Sequence, residues 1–475
     1  MACLVGLACA GGWATAPRAR AQTSAAKVAT AGAGAPGVAP VPSSSAAAIA
    51  TAAASEVDES EPPPIPTPTR TVAGWRALWD EGTKGSFDLR VAVDEIERAE
   101  AATRVAWAGV LPTAAGNVTL GYATTSNTLF AVLPTGTSLS AELVIAAPLV
   151  NLRNAHAIGT AHVSEDMARL SLDELRRRFA LNLARSLLSI AAARRLSEVD
   201  RVGLEAALER LALTKARVGI GVGDARDLMR AQQDVASARA VIPGADEALR
   251  KAREGMSILL GQRGELGVGG ETVAIEAELA GFCAGGAVDA ERADVRVAKR
   301  QVVVAERNVD DVLLLFAPTL TAQVNVGTLG APLGGPYENG WSLSAVLTVP
   351  IYDGGARYGE KRDRVALVDE ARVRRAQVEV EVATEVAQAR REIDVARAAE
   401  RSARESRDLA AKIDEAQRAA YSIGASGTTN FDLIEAGRIL RQAEGLLVLR
   451  ELDLARARAS LPFIAGSCAG LGPRS

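Results

Sequence analysis

The sequence has few of the aromatic residues that fill a large globular core. Of its 475 residues, 48% are hydrophobic but only 4% are aromatic. A globular enzyme of this length buries far more phenylalanine, tyrosine and tryptophan. Alanine dominates the apolar residues instead, and alanine favours helices and lets them approach closely. The composition therefore favours closely packed helices over one globular core.

Other absences exclude whole classes of function. No long apolar run follows the N-terminus, which argues against a transmembrane helix. The net charge of −3 gives no sign of nucleic-acid binding. The two histidines, His156 and His162, point to different sides of a helix, whereas a metal-binding pair prefers a spacing of four. We interpret both as solvated structural residues, so neither a zinc centre nor a Cys-His nucleophile is supported.

The first segment of the chain has the pattern of an export signal. Cys3 to Ala16 is mostly apolar, and Ala19-Arg20-Ala21 fits a small-x-small cleavage site, so we predict a signal at 1–21. No Lys or Arg precedes the apolar run, which is consistent with a translation start upstream. A lipoprotein with Cys9 lipidated is the alternative. Residues 22–70 are rich in Ala, Ser and Pro and are predicted to be a disordered tether.

The rest of the chain contains the same sequence pattern twice. A long duplication indicates a fold built from two equivalent units, whose function lies in what the units form together. We divide the chain into a first repeat at 71–262, a link at 263–290, a second repeat at 291–465 and a tail at 466–475. The matching segments are Asp88–Ala92 with Asp294–Ala298, Leu111–Thr113 with Ala317–Thr319, Ser138–Ala141 with Ser342–Ala345, and Asp227–Ala231 with Asp432–Ala436.

Within each repeat, helical spacing gives way to strict alternation of apolar and polar residues. The helical pieces, Val91–Val110 and Val297–Phe316, each meet a proline, which ends a helix. The four alternating segments have about ten residues each, the length that a tilted strand needs to cross a bilayer. Two amphipathic hairpins on a soluble core explain this pattern equally well. The apolar positions are Val118, Leu120 and Tyr122; Leu139, Ala141, Leu143 and Ile145; Leu320, Ala322, Val324 and Val326; and Trp341, Leu343, Ala345, Leu347 and Val349.

Two uninterrupted helical stretches favour strands that cross a bilayer over hairpins on a soluble core. No Gly or Pro lies between Gly359 and Tyr421, and no Pro lies between Leu149 and Ile242. Some 60 to 70 continuous residues form a rod of roughly 100 Å, which no single globular domain needs. One set of residues in the second rod keeps the spacing of a coiled-coil seam and predicts tight packing between antiparallel helices. These residues are Val373, Ala376, Val380, Ala383 and Ala387.

Each rod ends in a turn marked by glycine, at Val218–Gly223 and at Ile423–Gly427. The first turn follows a helix rather than a strand, so we exclude a dinucleotide-binding loop. Pro243-Gly244 lies in the returning helix of the first repeat only, where it predicts a local break or kink.

The repeated order of helix, proline, strand, strand, long helix, turn and helix, with Asp-Leu-x-x-Ala after each turn, resembles the TolC-type outer-membrane efflux proteins. The resemblance covers about residues 87–465. It implies a mixed α and β membrane protein, a trimer in which four strands per chain build one shared twelve-stranded β-barrel. That barrel continues into a long α-helical coiled-coil barrel, whose far end binds a periplasmic adaptor protein fed by an inner-membrane pump.

The function implied by this resemblance is a duct rather than an enzyme. The protein is expected in the outer membrane of a Gram-negative bacterium and to extend into the periplasm, as the channel of a tripartite efflux pump or type I secretion system. No cofactor, metal or nucleic acid is expected. The sequence does not indicate whether drugs, metal ions or polypeptides are transported. A periplasmic coiled-coil scaffold without a pore is the alternative.

Elementary physics supports part of this architecture independently. Four strands cannot close a barrel, and open strand edges are not tolerated in lipid, so several chains must contribute. The sequence does not choose between two chains and three; the resemblance implies three. The apolar strand faces then contact lipid, and Tyr122, Tyr337 and Trp341 are candidates for the interfacial girdle. The residues predicted to face the lumen are Asn117, Glu142, Gln323 and Asn325.

The resemblance also implies roles for residues at the two turns. The turns are predicted to dock the adaptor, and the two turns can be aligned only to within about two residues, because their glycines stand at different distances from Asp227 and Asp432. The predicted docking residues are Val218, Gly219, Gly221, Ile423, Gly424 and Gly427.

Three acidic residues are predicted to form the periplasmic aperture. Asp432 and Glu435 match the family's acidic constriction residues, and Asp227 is the counterpart in the first repeat, where Arg230 replaces the second acid. A ring of such carboxylates favours cations and raises its own pKa values by mutual repulsion. In the alternative, these acids lie on a solvated helix face and pair with Arg438 or Arg441.

Cys283 and Cys468 remain after removal of the predicted signal. The resemblance places both around the middle of the helical barrel. In the oxidising periplasm they are candidates for a disulfide that closes the second repeat on itself. Two free thiols explain the sequence equally well.

Overall fold

A computed structural model describes residues 58–123, 127–128, 131–132, 136–268, 272–284, 291–330, 337–424, 427–468 and 471. The predicted signal at 1–21, Cys9 and the tether up to residue 57 therefore lie outside the described residues. The side chain of Tyr337 is also outside them.

The first repeat follows the predicted order of elements. A short strand and a short helix precede a helix that ends just before Pro112, and then come the two strands, the long helix and the returning helix. The elements are β1 (Arg70–Val72), α1 (Trp75–Gly85), α2 (Phe87–Ala108), β2 (Thr113–Ala123), β3 (Asn127–Thr128), β4 (Ala131–Val132), β5 (Gly136–Val150), α3 (Leu152–Gly219) and α4 (Ala225–Leu259).

The second repeat has the same order, after a link that contains one short strand and one helix. The mixed α and β fold predicted from the sequence is confirmed. The link elements are β6 (Leu266–Val268) and α5 (Thr272–Cys283), followed by α6 (Ala293–Leu314), β7 (Thr319–Gly330), β8 (Tyr337–Thr348), α7 (Ala356–Ser422) and α8 (Asn430–Ile464).

The predicted rods are α3 with 68 residues and α7 with 67 residues, each roughly 100 Å long at the α-helical rise. Each packs on its own returning helix, and α3 also packs on α8, so the two hairpins lie side by side. No helix in the described ranges is long and apolar enough to cross a membrane.

Of the break or kink predicted at Pro243, the break is wrong, because α4 continues through this residue. Its neighbour Ile242 is 2% exposed and Leu249 is fully buried. Burial of this face stabilises the helix enough to offset the hydrogen bond that proline removes.

The seam predicted on α7 is also wrong as a contact within the chain. All five of its residues are exposed, and Val373 and Val380 are 68% and 66% exposed. A neighbouring row on the same helix is buried instead; it contains Ala389, Ala396, Ala403 and Ala410.

The predicted tether is ordered over its last part, contrary to the expectation of disorder up to residue 70. Residues 58–69, here called the strap, are bound by hydrogen bonds and ion pairs to α3, α4 and the segment before β6. β1 then pairs in parallel with β6. Composition indicated disorder because the strap has few apolar side chains to bury. Most of its contacts are polar, and Ile65 alone packs on the main core among its described residues.

A compact cluster at the middle of the helical region contains many of the scarce aromatic residues. Trp75 lies 5.4 Å from Phe282 and 6.3 Å from Phe463, measured between ring centroids. Trp79 and Phe179 extend the cluster. Beside it, Cys283 and Cys468 form a disulfide bond, which joins α5 to the segment after α8.

Candidate functional site

The four long strands form one antiparallel sheet with two chemically different faces. The strand order is β2-β5-β7-β8, so β2 and β8 are unpaired edges in the described chain. Residues opposite each other in the register share a face. Asn117 is paired with Glu142, and Asn325 is paired with Val144 and Ser342.

All four residues predicted to face the lumen lie on the same side of this sheet. Gln323 donates a hydrogen bond to Asn325 at 2.8 Å, and the Asn325 amide donates to the Ser342 hydroxyl at 3.3 Å. Asn117 and Glu142 are exposed on that side. The opposite face carries the apolar series, and its members Val118, Leu120, Tyr122, Trp341 and Leu343 are 68% to 76% exposed. One face is thus suited to water and the other to lipid.

The two turns at the far end of the hairpins have the same geometry. Gly221 and Gly424 each follow the last turn of a long helix and have φ values of 81° and 70°. This left-handed conformation is easily adopted only by glycine and ends a helix. The two glycines are structurally equivalent, and Gly427 (φ 97°) belongs to the extra length of the second turn.

The predicted docking residues lie at these turns. Two further residues, Ile220 and Val222, lie there as well and were not among those predicted. Gly219 is the last residue of α3, and Ile423 directly follows α7. Ile423 is 82% exposed, and the missed residues Ile220 and Val222 are 75% and 64% exposed. Alternation of Val or Ile with Gly was the available signal for them.

Asp432 has a structural role that the aperture prediction did not consider. It is the third residue of α8, and its carboxylate accepts hydrogen bonds from the Thr429 backbone N–H and hydroxyl at 2.9 and 2.7 Å. With the return bond from the Asp432 N–H to the Thr429 hydroxyl, this is a capping box. The Thr429 hydroxyl, followed by its backbone N–H, lowers the pKa of Asp432.

Glu435 is paired with Arg438, with 2.8 Å between Oε2 and Nε. The hydrogen bond from Arg438 lowers the pKa of Glu435. Asp227 lies 3.5 Å from Arg230. In the single chain, hydrogen-bond donors therefore lower the pKa of both carboxylates. The raised pKa values were predicted for a ring of carboxylates from several chains, and they stay a prediction. The solvated, Arg438-paired alternative describes Glu435 correctly.

Arg441, the other partner considered for these acids, belongs to a buried network that the sequence argument missed. Asp234 accepts hydrogen bonds from the Nε and Nη2 of Arg210 at 3.1 and 2.8 Å, and from Arg441 Nη2 at 2.8 Å. This carboxylate ties α3 and α4 of the first repeat to α8 of the second. Gly437 and Gly203 leave space for the two arginines, since a Cβ there would lie 2.6 and 2.4 Å from their side chains.

A cavity of about 550 Å³ opens beside this network between α4 and α8. Arg230, Arg438 and Phe431 line it together with Asp200. Burial raises the pKa of Asp200, against the nearby positive charges of Arg201 and Arg441. Arg230 and Arg438, which pair with Asp227 and Glu435, thus lie at this opening.

The two histidines are not placed alike. His156 Nδ1 lies 2.6 Å from Asp311 Oδ1, so it links α3 to α6 near the sheet. His162 is more exposed and lies 3.9 Å from Glu165. No group of three metal-ligating side chains occurs in the part of the chain that is described.

Comparison with solved structures gives a consistent result for the fold. The chain is similar to the outer membrane protein VceC from Vibrio cholerae, with a TM-score of 0.67, 17% identity, and coverage of 83% of this chain and 96% of that one. It is also similar to the CmeC outer membrane channel of Campylobacter jejuni, with a TM-score of 0.68, 16% identity, and coverage of 83% and 86%.

Sequence comparison covers the same regions. Nodulation protein T of Rhizobium leguminosarum bv. trifolii is 26% identical over 435 residues, which are 83% of this chain and 88% of that protein. The family model described as outer membrane efflux protein matches residues 79–262 and 286–467, one segment for each repeat. The chain therefore belongs to the outer membrane efflux protein family, whose members are channel proteins rather than enzymes.

Proposed function

We propose that this protein is the outer-membrane duct of a tripartite efflux pump or type I secretion system. The observation that carries the proposal is the four-stranded sheet, with an exposed apolar face, a polar face and two unpaired edges. Such a sheet is unstable in lipid by itself, because unpaired backbone groups at its edges have no water to bind. Closure with strands from other copies satisfies both edges and encloses the polar face.

The active assembly in this proposal is a homotrimer with a twelve-stranded barrel. Strands of 11 to 15 residues are long enough to cross the bilayer when tilted. The exposed row Val373, Ala376, Val380, Ala383 and Ala387 supports contacts between chains along the helices, since it has coiled-coil spacing and no partner helix within the described chain.

The sheet and the turns indicate the partners of the molecule. The sheet lies in the outer membrane, and the hairpins extend through the periplasm, where the turns bind an adaptor protein connected to an inner-membrane pump. Exposed Ile220, Val222 and Ile423 at the turns support a protein contact there.

The direct test is conductance of the purified protein in a planar lipid bilayer, together with its migration in SDS before and after heating. A duct gives discrete channel currents and trimers that resist SDS until heated. A soluble, elongated periplasmic protein that gives no current would show instead the scaffold without a pore.

A further inference from the structure

The strap lies in a groove of the first hairpin that is lined by positive charges. Lys215 pairs with Glu59, and Arg239 Nη1 lies 2.5 Å from an Asp58 oxygen. Further along, Arg201 Nε donates to the carbonyl oxygen of Pro63 at 2.7 Å. Arg253 Nη1 donates to the carbonyl oxygen of Pro66 at 2.7 Å. Four cations of α3 and α4 thus contact the strap one after another.

These cations have a regular arrangement. Lys215 lies two heptads beyond Arg201 on α3, and Arg253 lies two heptads beyond Arg239 on α4, so each pair shares one helix face. The antiparallel helices bring the two faces together. The result is a continuous row of donors along the groove, which ends beside the turn.

The strap sequence has the chemistry that such a row of donors binds. It contains prolines at 62, 63, 64, 66 and 68 and acids at 58, 59 and 61. Proline has no N–H, so this stretch offers mainly carbonyl acceptors, and its restricted backbone loses little entropy on binding. Ile65 adds an apolar contact with the main core.

The two inner arginines use these acceptors together with acceptors outside the strap, such as Glu265 for Arg253. Arg201 and Arg253 are 7% and 5% exposed. Asp246 accepts one hydrogen bond from Arg201 at 2.9 Å, while the carbonyl oxygens of Pro63 and Pro64 accept from its Nε and Nη2. Burial lowers the pKa of Arg253. The strap carbonyl oxygens thus pair guanidinium N–H groups beside the carboxylates, so the groove favours an occupant with such acceptors.

We propose that the groove between α3 and α4 is a binding site for an extended, acidic, proline-rich peptide, and that the strap is its resident ligand. The strap is then a separable element: it covers the groove in the resting chain and, when released, leaves a cation-lined surface that runs from Lys215 near the turn to Arg253 near the middle cluster. Its acidic end, Asp58 and Glu59, is the part nearest the turn and the first to detach. This proposal does not depend on conduction.

The first test measures strap mobility in the full chain, exported behind a cysteine-free signal. A nitroxide at Glu61→Cys reports on the strap, because Glu61 is exposed. Replacing both outer cations, K215Q with R239Q, raises the mobile fraction of the label severalfold. The matched control R226Q with K251Q removes two cations of the same hairpin and leaves mobility unchanged. Among the described residues, these cations pair only with Asp224 and Glu247. Equal mobility in both variants overturns the proposal.

The second test measures binding of a free peptide. In a full-length chain whose residues 58–69 are replaced by a Gly-Ser segment of equal length, a fluorescent peptide with the strap sequence binds saturably. Affinity falls about tenfold when K215Q and R239Q are added, as expected for two partly exposed ion pairs, and it falls with added salt. Absence of saturable binding to a folded Gly-Ser variant overturns the proposal. If that variant does not fold, the mobility measurement decides alone.

Discussion

The two long hairpins come from one duplicated sequence, yet they occupy different environments. In the first, α3 buries large side chains such as Phe179, Leu187 and Leu204 between α4, α8 and the middle cluster. In the second, the buried apolar positions of α7 are mostly alanines, and an apolar row remains exposed. The first hairpin is stabilised within its own chain. The second leaves an apolar row exposed, as expected for the contact between chains proposed above.

The largest effect is expected from charging the exposed row of the second hairpin. Val380→Asp with Ala383→Asp places two carboxylates in the proposed contact between chains, where burial of unpaired charge costs several kcal/mol. We expect complete loss of SDS-resistant trimers. Gln388→Asp, an exposed polar position on the same helix, is the control and should leave trimers intact. Trimers in the double variant would show that α7 does not make the contact.

A second, smaller effect concerns the network that joins the hairpins. Asp234→Ala leaves Arg210 and Arg441 without their shared carboxylate, and loss of one partner of a buried ion pair costs about 3–5 kcal/mol. Asp453→Ala breaks an exposed pair with Arg450 in the second hairpin, which is worth at most about 1 kcal/mol. Denaturant unfolding of both variants measures the difference. Equal losses of unfolding free energy would mean that Asp234 does not hold the hairpins together.

A moderate effect is expected on ion selectivity at the turns. Asp432 has no cationic partner in the described chain, whereas Glu435 and Asp227 face arginines. Asp432→Asn should therefore reduce cation preference, measured as reversal potential, more than Glu435→Gln does. The double variant should resemble Asp432→Asn alone. A larger effect of Glu435→Gln would show that Arg438 turns away from it in the trimer.

The smallest effect concerns pH. A carboxyl group whose pKa is lowered on folding stabilises the folded state above its unfolded value, and this contribution is lost only as pH falls through the folded value. Asp432 and Glu435 both have lowered pKa values, from ordinary values of 3.8 and 4.5. Neither should titrate between about pH 5 and 8. Reversal potentials of the wild type and of Asp432→Asn should differ by a constant amount over this range. A difference that changes with pH there would restore the raised pKa values first predicted for the ring.

The strands and rods were predictable from sequence because periodicity shows which residues share a face, and a long stretch without Gly or Pro permits an uninterrupted helix. Alternation placed Asn117 and Glu142 on the polar face, and absence of Gly and Pro gave α7 its length. The same periodicity failed for the contacts of α7. An alanine-rich helix has more than one row with coiled-coil spacing, and the sequence does not say which row meets the same chain and which remains exposed.

Two other features were hidden for different reasons. The capping box at Thr429 and Asp432 could have been predicted, since Thr-x-x-Asp before an apolar stretch is a helix-start pattern. It was missed because Asp432 was assigned to the aperture instead. The contacts of the strap could not be predicted from sequence, because its inner contacts join proline carbonyl oxygens to arginines far away in the sequence. Hydrophobic patterning carries no information about such contacts.

The disulfide between Cys283 and Cys468 spans 185 residues and turns the second repeat into a covalent ring. β7, β8 and the whole second hairpin lie inside that ring. A single proteolytic cut within it, for example between β7 and β8, yields two pieces that stay one molecule until a reductant is added. Such a cut in the first repeat separates the pieces under denaturing conditions at once. The first repeat thus lies outside the covalent ring and the second lies inside it, so a single cut in the second repeat does not separate the pieces of the chain.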